Sequence, residues 1–312
     1  MFFAIVLSIF GHILLFYGVP IFHYGSRTEI ANDLIIQTEL RAVPPKKIHI
    51  ATNPKNQRFV DKFNFLLTAP AGDSAQVEQG ADTQGGQAFR LPESSILYYD
   101  AYIDGQLYQT GELHWFVEGN LYRLYITIPY PFVGPFIFES RGLIDAYGIA
   151  PTIYWTQRGT KSPRFSRFDR DEKGAGKMYF SEKPDFSPEI IPGTQDRFSL
   201  LFQLASLLNG DNKIDEEGAI RSLPVVDYST LEMWQFKSYG ETVSDDIPTL
   251  GRSVNRHYAL MQRESDPYKR QVDIWLARDL EWLPGRMRSM EANGRVIELV
   301  FKQKAPISTS IH

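Results

Sequence analysis

The sequence predicts a mainly β protein: a strongly curved antiparallel sheet or open β-barrel around one buried helix, preceded by a single transmembrane helix and a flexible linker. Three observations carry that expectation. Apolar and polar residues alternate with period two along many short runs, and tight-turn signals such as Asp104–Gly105 and Asn293–Gly294 separate them. One segment, near Gln195–Leu208, is apolar on nearly every side, as a helix enclosed by other elements must be. The N-terminal run Phe2–Phe22 carries no charged side chain.

That run, FFAIVLSIFGHILLFYGVPIF, is long enough to cross a membrane, since about 20 helical residues span the hydrocarbon core. Tyr17 and His23 sit near its exit, where amphipathic side chains favour the interface. The FHYGSRTE that follows offers no small-x-small cleavage site, so residues 1–23 are expected to stay as an anchor. A first hydrophobic segment with a long C-terminal domain is expected to leave the N-terminus in the cytoplasm and the domain outside it. For a Gram-negative source that is a single pass of the bacterial inner membrane with the domain in the periplasm.

Ser8 and His12 lie four residues apart and share a face of the expected helix. A structural reading has Ser8 bonding back to its own helix and His12 neutral. A functional reading follows from a resemblance: Ser-x-x-x-His in a single N-terminal span is similar to the anchor of TonB-type energy transducers. The resemblance implies docking on the subunits of a proton-driven motor complex, with His12 central to the coupling. It covers the span alone, because the spacer has only Pro44–Pro45 where that family has a proline-rich rod.

Residues 24–90 read as a largely disordered periplasmic linker. APAGDSAQVEQGADTQGGQA (Ala69–Ala88) has almost no large apolar residue with which to offset chain entropy. Residues 91–302 read as the β-rich domain and 303–312 as a tail. Tyr98–Ile103 and the run from Gln106 form a hairpin about Asp104–Gly105, and Glu118–Gly119–Asn120 turns the next pair. Further strands are expected near 137–144, 149–157, 164–168, 177–181, 222–227, 232–239 and 255–263. Gly285–Glu291 and Arg295–Phe301 pair across Asn293–Gly294. Thr194 is the expected N-cap of the helix, Asp196 lies in its first turn beside the dipole, and Gly210 stops it.

Three segments resemble the bacterial family called domain of unknown function 3108: ESRGLIDAYGIAP (Glu139–Pro151), PGTQDRFSLLFQLASLL (Pro192–Leu208) and VDIWLARDLEWLPGRMRSMEANGRVIELVF (Val272–Phe301). The resemblance covers roughly residues 91–302. It implies a cell-envelope β-domain and no particular activity, and by shape it is similar to periplasmic carriers that hold acyl chains.

The chemistry excluded by composition is broad. No cysteine is present, which removes disulfides, thiolate nucleophiles, zinc–thiolate sites and iron–sulfur clusters. A net charge of −4 offers no basic chain for nucleic acid. No hydrolase, nucleotide-binding, metal-binding or cofactor motif occurs, and His114 and His257 read as strand residues. Asp211–Gly218 misses the calcium-loop spacing and reads as a solvated acidic turn. Gln195 and Asp196 read as structural capping. Tyr154, Trp155, Trp234, Phe236, Trp275 and Trp282 are the candidates for a ligand groove, with core packing as the alternative. The expected function is non-catalytic: binding of an envelope lipid, lipoprotein or protein partner, with no cofactor. A motor-coupled transducer or an unrecognised hydrolase are the rivals. The hydrolase would need His114 or His257 beside a carboxylate in a cleft.

Overall fold

The computed structural model describes residues 86–128, 135–171, 174–266 and 269–307. The N-terminal span, with Ser8 and His12, and most of the linker lie outside them. Among the described residues no helix is long and apolar enough to cross a membrane.

The strands are β1 Ser95–Ile103, β2 Gln106–Glu118, β3 Leu121–Ile128, β4 Phe136–Asp145, β5 Gly148–Arg158, β6 Arg164–Arg170, β7 Gly176–Phe180 and β8 Gln195–Asp196. After one helix, α1 Ser199–Gly210, come β9 Ile220–Val226, β10 Leu231–Ser244, β11 Ser253–Leu260, β12 Gln271–Ala277, β13 Pro284–Met290 and β14 Val296–Pro306. They make one open 14-stranded sheet in the order β7-β6-β5-β4-β3-β2-β1-β14-β13-β12-β11-β10-β9-β8. Sequential strands from β1 to β7 and from β9 to β14 thus pair antiparallel, β1 against β14 joins the two halves, and β7 and β8 are the edges.

Local chemistry sets this up. Asp104 and Gly105 both take positive φ, 48° and 79°, as a tight hairpin turn with the strand's own twist requires. Along β1 the buried Leu97, Tyr99 and Ala101 alternate with Tyr98 and Asp100, so one face is core and the other is outside. The same parity holds along β10, where Trp234, Phe236 and Ser238 point inward.

Inside the curve sits α1, with Ser199 through Leu208 all buried. Phe202 stacks on Trp115 of β2 at 4.4 Å between ring centroids. Phe198 meets Phe138 of β4 at 5.2 Å and Tyr154 of β5 at 5.8 Å. A helix greasy all round is stable here because the sheet surrounds it. The helix begins later than its sequence suggests: Gln195 and Asp196 form β8, pairing in parallel with Val225 and Val226. Thr194 is not the N-cap, since its hydroxyl donates to the Ile191 carbonyl. Gly210 is required by close approach, because a Cβ there would lie 2.5 Å from the Ala88 carbonyl oxygen. Residues that read as linker pass that point, and Arg90 N–H bonds to Ser206 O at 2.9 Å. At the other end, β14 carries the ladder to Pro306, beyond the boundary expected at residue 302.

Phe202 is 1% exposed, so Phe202→Ala should leave a cavity against Trp115. The expected cost is about 3–5 kcal/mol, read as a lowered urea midpoint with an unchanged slope.

Candidate functional site

A buried helix end confronts the sheet with unpaired N–H groups, and Asp196 satisfies them. Its Oδ1 accepts from Phe198 N–H at 2.8 Å and Ser199 N–H at 2.9 Å. Its own N–H donates to Ser199 Oγ at 2.9 Å, and its Oδ2 accepts from the Ser140 hydroxyl of β4. Tyr122 of β3 joins through Ser140 at 2.8 Å. Asp196 therefore caps α1 from just outside it and ties it to β3 and β4.

Two glutamines extend the tie to β5. Gln195 Nε2 donates to Ile149 O at 2.6 Å. Gln203 accepts from Ile149 N–H and donates to Tyr147 O, each at 2.8 Å. Gly148 must be glycine there: φ is +104°, and a Cβ would lie 2.5 Å from Gln203 Oε1. At the far end of the helix, Asn209 Nδ2 bonds to Glu281 O at 2.8 Å. The three family-like segments thus converge on one helix, and the Gln195–Asp196 pair does structural work.

The six candidate aromatics separate. Tyr154, Trp234 and Phe236 are core residues, and Trp282 is buried in the turn after β12. Trp155 and Trp275 face outward on distant strands, so the six do not line one groove. Trp275 lies in a stack: His257 sits on it at 4.6 Å, Tyr239 covers His257 at 4.8 Å, and Arg286 covers Trp275 at 4.9 Å. The faces of His257 and Trp275 are thereby covered, while Tyr239 at the end of the stack stays exposed.

Both histidines meet carboxylates. His257 Nε2 lies 2.8 Å from Asp273 Oδ1, and His114 bonds to Glu112. Each ring is thus held on its own strand neighbourhood by a carboxylate, His114 by Glu112 and His257 by Asp273. The acidic turn is internally committed. Asp215 takes Arg221 at 2.7 Å and the Tyr258 hydroxyl at 2.8 Å, while Arg256 donates to the carbonyls of Asn212, Ile214 and Asp215. Beside it lies a shallow, polar hollow of about 440 Å³ bordered by Glu216, Glu217, Tyr239 and Glu241.

A second hollow was not legible in the sequence. It measures about 170 Å³ and is lined by Arg197, Asp227, Glu232, Trp234, Arg263 and Asp266, with Arg270 among its other walls. Three ion pairs build it: Arg197–Asp227 at 2.6 Å, Arg263–Glu232 at 2.6 Å and Arg270–Asp266 at 2.7 Å. The first and third pairs have side chains at most 7% exposed. The Arg263 guanidinium also lies over Trp234 at 4.5 Å. Burial pulls Arg263 below its usual value, against the opposing pull of Glu232 and Asp266. Burying ions costs several kcal/mol each before pairing offsets it, so these three pairs make the hollow a candidate for a site. Arg197 follows Asp196 directly, so the closure that caps the helix also aims an arginine at this hollow.

A family model, that of the proteins of unknown function DUF3108, matches residues 111–300. Among solved structures, the chain is similar to a β-barrel-like protein of another domain of unknown function, DUF1849, from Brucella abortus. The identity is 11%, the match covers 70% of this chain and 100% of that one, and the TM-score is 0.41. No curated protein matches the chain.

Burial raises the Asp196 carboxyl above its ordinary 3.8, and the bonds from Ser140, Ser199 and Phe198 oppose that rise. A raised carboxyl binds its proton more tightly folded than unfolded, so this contribution falls as pH rises from 3.8 through the folded value. Asp196→Asn lacks that titration. Its stability relative to the native protein should therefore rise with pH across this window in urea melts, and parallel curves would contradict the assignment. Asp196→Ala strands several donors and should lose on the order of 3 kcal/mol at neutral pH.

Proposed function

We propose that this chain, which belongs to the DUF3108 family of proteins of unknown function, is a non-catalytic binding protein of the cell envelope. In this reading residues 1–23 hold it in the inner membrane and the β-domain works in the periplasm. The partner is a protein or lipoprotein that meets the domain from outside. One observation carries the reading: α1 occupies the inside of the sheet, where an acyl chain would otherwise lie. The charged hollow of Arg197, Arg263 and Arg270 is then the recognition point, since it pairs guanidinium forks and carboxylates with Trp234.

A photoreactive amino acid at Ser265, on the hollow's wall, tests this in cells producing the full chain. The expected result is a discrete, protease-sensitive adduct that Arg263→Gln reduces at least about tenfold, as loss of a partly buried ion pair at the contact implies. An adduct of lipid mass alone, or none, would contradict a protein partner at this site.

A further inference from the structure

The outer face of β3 to β7 carries an arrangement that the charged hollow does not explain. Pairing places Arg123 directly opposite Arg141, Arg141 opposite Ile153, Ile153 opposite Arg167, and Arg167 opposite Tyr179. Three arginines thus lie in one register row across the sheet. The next row holds Tyr125, Glu139, Trp155 and Phe165, again in direct register.

Like charges directly opposite on neighbouring strands are unfavourable. This pair is held by Glu139, which accepts from Arg123 Nε at 2.9 Å and lies 3.7 Å from Arg141. Glu139 is only 3% exposed on an outward-facing position, and Trp155 Nε1 donates to its second oxygen at 2.9 Å. One buried carboxylate therefore fixes two guanidiniums and an indole on the surface. The Arg123 side chain is 56% exposed and that of Arg167 is 41% exposed. Arg123 also lies over Tyr125 at 5.3 Å and Arg167 over Tyr179 at 4.7 Å. Across β3 to β7 these two rows hold three arginines against the single carboxylate Glu139, and the neighbouring Asp169–Lys177 pair adds one charge of each sign, in a chain whose net charge is −4.

We infer that this face docks on an anionic phospholipid surface, with the arginine row on headgroup phosphates and Trp155, Tyr125 and Tyr179 at the headgroup level. The chemistry matches on both sides. Guanidinium forks suit phosphate, and amphipathic aromatic rings prefer the membrane–water boundary. The row lies open on the outside of the sheet, which suits an extended surface better than a pocketed ligand. The inference rests on the proposed tether in one respect, that the domain works close to a bilayer.

The absence of native cysteine makes a clean test possible. Gln157→Cys, beside this face on β5, and Gln235→Cys, on the outside of β10, each receive a polarity-sensitive dye in the full chain. Each protein is mixed with vesicles of phosphatidylglycerol and phosphatidylcholine, or of phosphatidylcholine alone, containing a headgroup nitroxide quencher. In the anionic vesicles the dye at 157 should be quenched about twofold more than the dye at 235. That difference should vanish in phosphatidylcholine, at about 0.5 M salt, and in Arg123→Gln/Arg141→Gln/Arg167→Gln. Arg167→Gln alone should reduce it, and this variant keeps the test valid should the triple variant unfold, because the ion pair of Arg167 is with the half-exposed Asp169.

Vesicle-associated protein with equal quenching at both positions would overturn the docking and leave the tether standing. Protein that floats with neither vesicle would overturn both. A response at position 157 to a single-stranded oligonucleotide, with none to anionic lipid, would overturn the lipid assignment in favour of nucleic acid.

Discussion

The fold depends on the way Asp196 ends a buried helix. A sheet can close around a helix only if the first N–H groups of that helix find acceptors, because water does not reach them. Asp196 supplies one oxygen to Phe198 and Ser199 and the other to Ser140 on β4. The same residue is a strand residue, paired in parallel with Val226. One side chain thereby joins the edge of the sheet, the helix and the opposite wall. Gln195 and Gln203 repeat the device on the backbone of β5, and Asn209 secures the other end on Glu281.

Enclosing the helix uses up the inner face of the sheet. Trp115, Phe138, Tyr154 and Phe202 are spent on one another and on α1, so the aromatic richness of the sequence does not translate into an apolar groove. The outer surface is chemically divided. On β10 to β13 the Tyr239–His257–Trp275–Arg286 stack satisfies itself ring against ring. On β3 to β7 Arg123 and Arg167 are about half exposed, and Glu139 holds Arg123 and the more buried Arg141. Between β8 and β12 lies the charged hollow, where ion pairs rather than apolar side chains form the walls.

Much of the sheet could be read from the sequence because hairpins are local. Asp104–Gly105 and Asn293–Gly294 dictate their turns with two residues, and period-two burial then fixes each face. The same rule separates Tyr154 from Trp155, which as strand neighbours must point to opposite faces. The helix start was harder. Gln195 and Asp196 carry the composition of a first turn, and only the presence of β9 beside them draws their backbone into the ladder. The capping role of Asp196 survives that shift, because an aspartate can reach the N–H groups of the two or three residues that follow it.

The charged hollow had no sequence signature at all. Arg197, Asp227, Arg263 and Arg270 come from separate loops and strand ends, and each reads alone as an ordinary surface residue. The arginine row is similar: its order across β3, β4 and β6 exists only once the register is known.

Hydrogen exchange on the full-length protein tests the central claim, that α1 is a fixed part of the interior. If the Asp196 closure locks the helix in place, the amides of residues 203–208 should exchange only through global unfolding, with the same free energy as those of β4 and β5. Exchange of the helix at a distinctly lower free energy, with the sheet still protected, would contradict it. The interior would then be a cavity that α1 can vacate, and the case for recognition on the outer surface would fall.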